Sequence, residues 1–136
     1  MKRSASANWK GTGKEGKGTV SSDSGVLKDT QYSFSSRFES GIGTNPEELI
    51  AAAHAGCFTM KLSFVISGAG FTPDNLDTKA TVTFENGAIP GIHLDVTASV
   101  PGLDAAKFAE FAEDAKANCP ISKLLNTNIT MDAKLV

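Results

Sequence analysis

Residues 41–68 read GIGTNPEELIAAAHAGCFTMKLSFVISG, and the fold turns on this stretch. Asn45 stands as a helix N-cap, Pro46 takes the first helical position, and Glu48 lies three residues after the cap, the pattern of a capping box. The run that follows stays apolar to about Ile66 and stops at Ser67-Gly68. Leu49, Ile50, Phe58, Met60, Leu62, Phe64, Val65 and Ile66 do not fall on one stripe, so the helix is expected to be buried on most sides. His54 and Lys61 interrupt it and Glu47-Glu48 open it, which argues against a membrane span.

Upstream, residues 7–39 are polar and rich in Gly, Ser and Thr. The fragments ANWKG, KGTVSS and YSFSSRFE read as an antiparallel meander, with a further short strand conceivable at Val26-Leu27. Downstream, residues 77–85 alternate, Asn86-Gly87 signals a hairpin, and residues 92–100 alternate again. The Ala88-Ile89-Pro90-Gly91 sequence points to a longer connecting loop. Asp104 caps a helix to about Ala117, a short helix follows Asn118-Cys119-Pro120, and residues 128–136 close as a strand. The expectation is one α+β domain spanning 1–136, with antiparallel sheets around a long buried central helix.

At 136 residues the chain suits one domain with a real core. Thirteen basic against fifteen acidic residues give a net charge of −2, which argues against nucleic acid as the main partner. Lys2-Arg3 is followed by no apolar stretch, so a cytoplasmic setting is expected. Two cysteines are too few for a disulfide framework. Cys57, inside an apolar helix, reads first as a small buried hydrophobe. Cys119, directly before Pro120 and a helix, sits where exposed N–H groups favour a thiolate, or where an ordinary cap would sit. A Cys2His2 zinc set of His54, Cys57, His93 and Cys119 is a third option, but no CxxC pair is present and His93 falls on the polar face of its strand.

The segment TNPEELIAAAHAGCFTM, with RFE before it and NCPISKLL after it, resembles the osmotically inducible protein C (OsmC) and organic hydroperoxide resistance (Ohr) family of peroxidases. ANWKG, KGTVSSDSGVL, AGFTPDNLDTKATVTF and SVPGLDAAKF extend the resemblance over nearly the whole chain. The position of Arg37 in RFE is closer to the OsmC branch. The resemblance implies an OsmC-like fold in an intertwined homodimer, with active sites at the subunit interface. It implies a thiol peroxidase with no bound cofactor or metal, recycled by an external dithiol such as a lipoyl-protein or a thioredoxin-like protein. By motif, Cys57 is then the peroxidatic cysteine, Cys119 the resolving one, Arg37 the activating arginine and Glu47 the carboxylate that orients it.

The physics of that assignment is coherent. Peroxide attack needs a thiolate, burial opposes one, and a guanidinium held bidentately by a carboxylate reverses the effect. Phe34, Phe38, Phe58, Met60, Phe108 and Phe111 are candidates for an apolar peroxide pocket or for ordinary core. The alternative is a non-enzymatic binding or stress protein of the same fold with packing cysteines. Ten residues separate Glu47 from Cys57. On one straight helix that is about 15 Å, so Arg37 spans the gap, the helix breaks, or a second copy supplies the missing groups at a shared site.

Overall fold

A computed structural model describes residues 1–136. The residues gather into two compact units, 1–49 and 50–136. In the first, strands β1 (Ala5–Lys10), β2 (Lys17–Ser22) and β3 (Thr30–Tyr32) form an antiparallel sheet in that order. Gly18 pairs with both Trp9 and Tyr32, whose rings lie 5.2 Å apart. Any side chain at Gly18 would run into both rings.

Two sequence expectations are corrected in this unit. The YSFSSRFE stretch is not a strand beyond Tyr32; it turns into helix α1 (Phe34–Phe38). The cause is a serine capping box, with Ser36 N–H donating to Ser33 Oγ (3.2 Å) and Ser33 N–H donating to Ser36 Oγ (2.8 Å). Val26-Leu27 makes no strand. It lies in a loop closed by Ser22 N–H to the Leu27 carbonyl (2.9 Å) and by Leu27 N–H to Ser22 Oγ (3.1 Å).

Helix α2 (Pro46–Gly68) starts as expected: Glu48 N–H donates to Asn45 Oδ1 at 2.8 Å, and Asn45 Nδ2 donates back to the Glu48 carboxylate at 3.3 Å. It runs unbroken for 23 residues. The expectation of burial on most sides is overturned within a single chain. Only the stripe His54, Phe58, Leu62 and Ile66 is buried, while Met60 and Phe64 are 63% and 66% exposed. The helix is apolar all round, but one sheet can cover only one of its faces.

In the second unit, β4 (Asn75–Glu85), β5 (Ala88–Ser99) and β6 (Asn128–Leu135) form a sheet in that order. The β4–β5 connection is tight, not the longer loop that Ala88–Gly91 suggested. Asn86 and Gly87 have φ of 49° and 76°, and Glu85 pairs with Ala88, the geometry of a two-residue type I′ turn. A register shift between Thr83 and Glu85 lets Pro90, which has no N–H, sit in the strand. The antiparallel expectation fails for one pair: β6 runs parallel to β5. A parallel neighbour needs a long crossover, and helices α3 (Ala105–Asn118) and α4 (Pro120–Leu124) supply it.

Ile92, Leu94, Val96 and Ala98 of β5 meet the α2 stripe and Phe108 and Ala115 of α3 in the core. Phe58 is fully buried there. Phe58→Ala is expected to cost about 3–5 kcal/mol of unfolding free energy, read as a lower denaturant midpoint at unchanged slope.

Candidate active site

Cys57 lies on α2, one turn beyond His54, and is half-buried; Cys119 is fully buried. Cys119 ends α3, donating its N–H to Ala115 (2.9 Å), and also stands at the N-cap of α4, with Pro120 next. This junction points the two thiols at each other, and Cys119 Sγ lies 2.9 Å from Cys57 Sγ. Both are free thiols in this state. The sequence pairs them only through the resemblance, because 62 residues separate them and no local rule links them.

Burial pushes the Cys57 thiol up in pKa, and the contact with Cys119 adds to it; a hydrogen bond from the Ile121 backbone N–H pulls the other way. The sequence reading gave the helix N-terminus at Cys119 either to its thiolate or to an ordinary cap. The backbone group that favours a thiolate on Cys57 belongs to Ile121 in that same turn. Ile121 was not singled out because its contribution is main-chain, which residue identity does not advertise.

Cys57 opens on a hollow of about 270 Å³ lined by Met60, Lys61, Phe64, Asn118 and Pro120. Of the six candidate pocket residues, only Met60 lines it. Phe58 and Phe108 are core, Phe111 packs against that core, and Phe34 and Phe38 meet in the first unit as a tilted ring pair with centroids 4.9 Å apart. Phe64 was missed. It sits one turn beyond Met60 and reads in sequence as one more core residue of an apolar helix.

Arg37 and Glu47 form the second pair. Arg37, in the last turn of α1, donates from Nη2 (2.8 Å) and Nε (3.1 Å) to Glu47 Oε1. Nε also reaches Oε2 at 3.3 Å. This is a bidentate fork on a carboxylate that is 13% exposed, against 37% for the arginine side chain. Its planar face lies 5.0 Å from the Phe38 ring. Glu48 serves the helix cap, as its position predicts.

The zinc set of four does not assemble. His54 Nε2 is 2.8 Å from Ser122 Oγ in the interior. His93 stands on the outer face of β5, bonded to Thr130 (2.7 Å) and Asp132 (3.1 Å), while its neighbours Ile92 and Leu94 share the core with Cys119.

Comparison with known proteins gives a consistent result. Residues 39–134 match the family model described as OsmC-like protein. The chain is 50% identical to the peroxiredoxin OsmC of Escherichia coli over 133 residues, covering 95% of this chain and 93% of that protein. It is 32% identical to the organic hydroperoxide resistance protein of Xanthomonas axonopodis pv. citri, over 70% of this chain and 68% of that one. Among solved structures, an OsmC-like protein from Mycoplasma pneumoniae superposes with a TM-score of 0.77 at 16% identity, over 100% of this chain and 98% of that one, a likeness of fold alone.

Proposed function

The chain belongs to the OsmC-like protein family, on the OsmC branch, and from that premise we propose that it is a two-cysteine peroxidase of organic hydroperoxides. The observation that carries the reading is the 2.9 Å approach of a fully buried thiol to one that opens on an apolar hollow. The Cys57 thiolate attacks the distal peroxide oxygen; the O–O bond breaks, an S–O bond forms, and the alkoxide takes a proton and leaves as alcohol. Cys119 then attacks the sulfenic sulfur, an S–S bond forms, and water departs. An external dithiol, lipoyl-protein or thioredoxin-like, returns both thiols by exchange. An apolar hollow favours an alkyl hydroperoxide over hydrogen peroxide, which carries no apolar surface to bury. No bound cofactor enters this cycle.

Arg37 is the proposed activator of the thiolate, oriented by Glu47, and it acts across a homodimer. Two features support a second copy. An unbroken helix separates Glu47 from Cys57 by about 15 Å along its axis. The exposed Met60 and Phe64, beside a groove lined by Ala55, Gly56, Thr59 and Ser63, form an apolar, small-residue face that a lone soluble chain would leave in water. The two units then serve as one domain of an intertwined, cytoplasmic dimer.

The test is a thiol count. Reduced protein is mixed with one equivalent of cumene hydroperoxide or of hydrogen peroxide, and free thiols and intact mass are taken within seconds. Loss of both thiols with a mass lower by two hydrogens, faster with the organic peroxide, is expected. In Cys119→Ser a single thiol should be lost, with Cys57 trapped as sulfenic acid and drifting to higher oxidation states. Two inert thiols in the parent protein would leave the packing-cysteine reading in its place.

A further inference from the structure

His54 interrupts an otherwise apolar stripe, since Phe58, Leu62 and Ile66 follow it at successive turns on the buried face of α2. It is fully buried, and its Nδ1 has no hydrogen-bond partner. Burial lowers the pKa of its ring and so keeps it neutral. An unpaired N–H inside a protein is rarer than an unpaired acceptor. The tautomer that fits is therefore Nε2–H donating, with the Nδ1 lone pair left bare. A leucine here would remove the unsatisfied Nδ1 along with the ring's one polar contact, so what the histidine contributes lies in that contact. That contact is Ser122 Oγ at 2.8 Å, 68 residues away and itself buried.

Ser122 sits on α4, which is five residues long and has no side-chain hydrogen bond at its N-cap. A helix that short does not hold itself. Apolar packing of Ile121 and Leu125 keeps α4 on the core but sets its rotation less specifically than a hydrogen bond does, because dispersion contacts are not directional. Yet α4 carries both groups that address Cys57: Cys119 at its N-cap and the Ile121 N–H.

We propose that the His54–Ser122 hydrogen bond is a strut that fixes α4 against α2, so that Cys119 and the Ile121 N–H stay aimed at Cys57. His54 is thus a positioning residue: it touches neither thiol's reaction directly but sets the approach of one to the other. The assignment gains its purpose from the peroxidase reading, yet its test needs no peroxide.

The test compares Ser122→Ala, Ser122→Thr, His54→Leu, His54→Gln and the Ser122→Ala/His54→Leu double variant. One readout is the rate at which diamide closes the Cys57–Cys119 disulfide, taking two electrons and two protons as the S–S bond forms. The other is the pH midpoint of Cys57 alkylation by iodoacetamide. Ser122→Ala and His54→Leu should each slow closure roughly five- to tenfold, the order of one buried hydrogen bond. Both should also raise the alkylation midpoint, because the Ile121 N–H is no longer held on the sulfur. Ser122→Thr, which keeps the hydroxyl, and His54→Gln, whose amide reaches the same way, should restore most of the loss. The double variant should be no slower than either single one.

Closure within about twofold of the parent rate in Ser122→Ala, or single effects that multiply in the double variant, overturns the strut. Should Ser122→Ala fold poorly, His54→Gln against His54→Leu makes the same comparison. Parent protein inert to hydroperoxides but showing this pattern would retain the strut and discard the peroxidase; the reverse pattern would do the opposite.

Discussion

Cys57→Ser is expected to bring hydroperoxide turnover to the uncatalysed background, a loss of at least about 10³-fold, because no other thiol opens on the hollow. The hydroxyl that replaces the thiol is a far weaker nucleophile at neutral pH and forms no sulfenic acid. Stability should move by no more than about 1 kcal/mol, since the change is near-isosteric at a half-buried position. Peroxide consumption with a dithiol present, alongside a denaturant melt, separates the two effects. Retained turnover in a folded variant would end the assignment of Cys57, whatever the family relationship says of the fold.

Arg37→Ala carries the second large effect. A preorganised donor aimed at developing negative charge is worth about 10²–10³ in rate, and the guanidinium is proposed to act both on the thiolate and on the departing alkoxide. Burial already drives the Cys57 thiol upward. Without the cation the peroxide step should therefore be slower at neutral pH, and its pH midpoint should move to alkaline values. The arginine side chain is 37% exposed, so breaking its pair with Glu47 should cost little stability. Arg37→Lys should recover only part of the rate, because an ammonium lacks the fork that Glu47 holds.

Mixing asks where the arginine acts. Unfolded Cys57→Ser and Arg37→Ala chains, refolded together in equal amounts, give half mixed dimers, each with one complete site if the site is shared. Activity should return to about a quarter of the parent value. A mixture as dead as its components would place Arg37 and Cys57 in the same chain's site.

How far the residues alone disclosed this protein depends on whether the signal was local. The α2 start was readable because a capping box is written in four consecutive positions, and Asn45 and Glu48 bond as that spacing demands. Cys119 at the head of a short helix followed in the same way from Pro120. The YSFSSRFE stretch misled because β-favouring aromatic residues flank a serine cap, and the cap won. β6 was legible as a strand but not in its direction, which depends on a crossover whose ends meet only in three dimensions. Burial of α2 was overestimated because the pattern reports apolar surface, not how much of it one sheet can cover. The thiol pair, the Arg37–Glu47 fork and the His54–Ser122 bond share one property: each joins residues ten or more positions apart. Family likeness supplied the first two. Nothing in the sequence supplied the third.

Cys119 is fully buried while Cys57 is only half so. In the oxidised form of the proposed cycle, that asymmetry dictates where a recycling dithiol strikes. An incoming thiolate must meet a sulfur it can approach along the S–S axis, and only Cys57 offers one. The mixed disulfide therefore forms on Cys57, and Cys119 is expelled as the leaving group into the interior. The reductant and the peroxide thus share a single doorway, and each must vacate it before the other can enter.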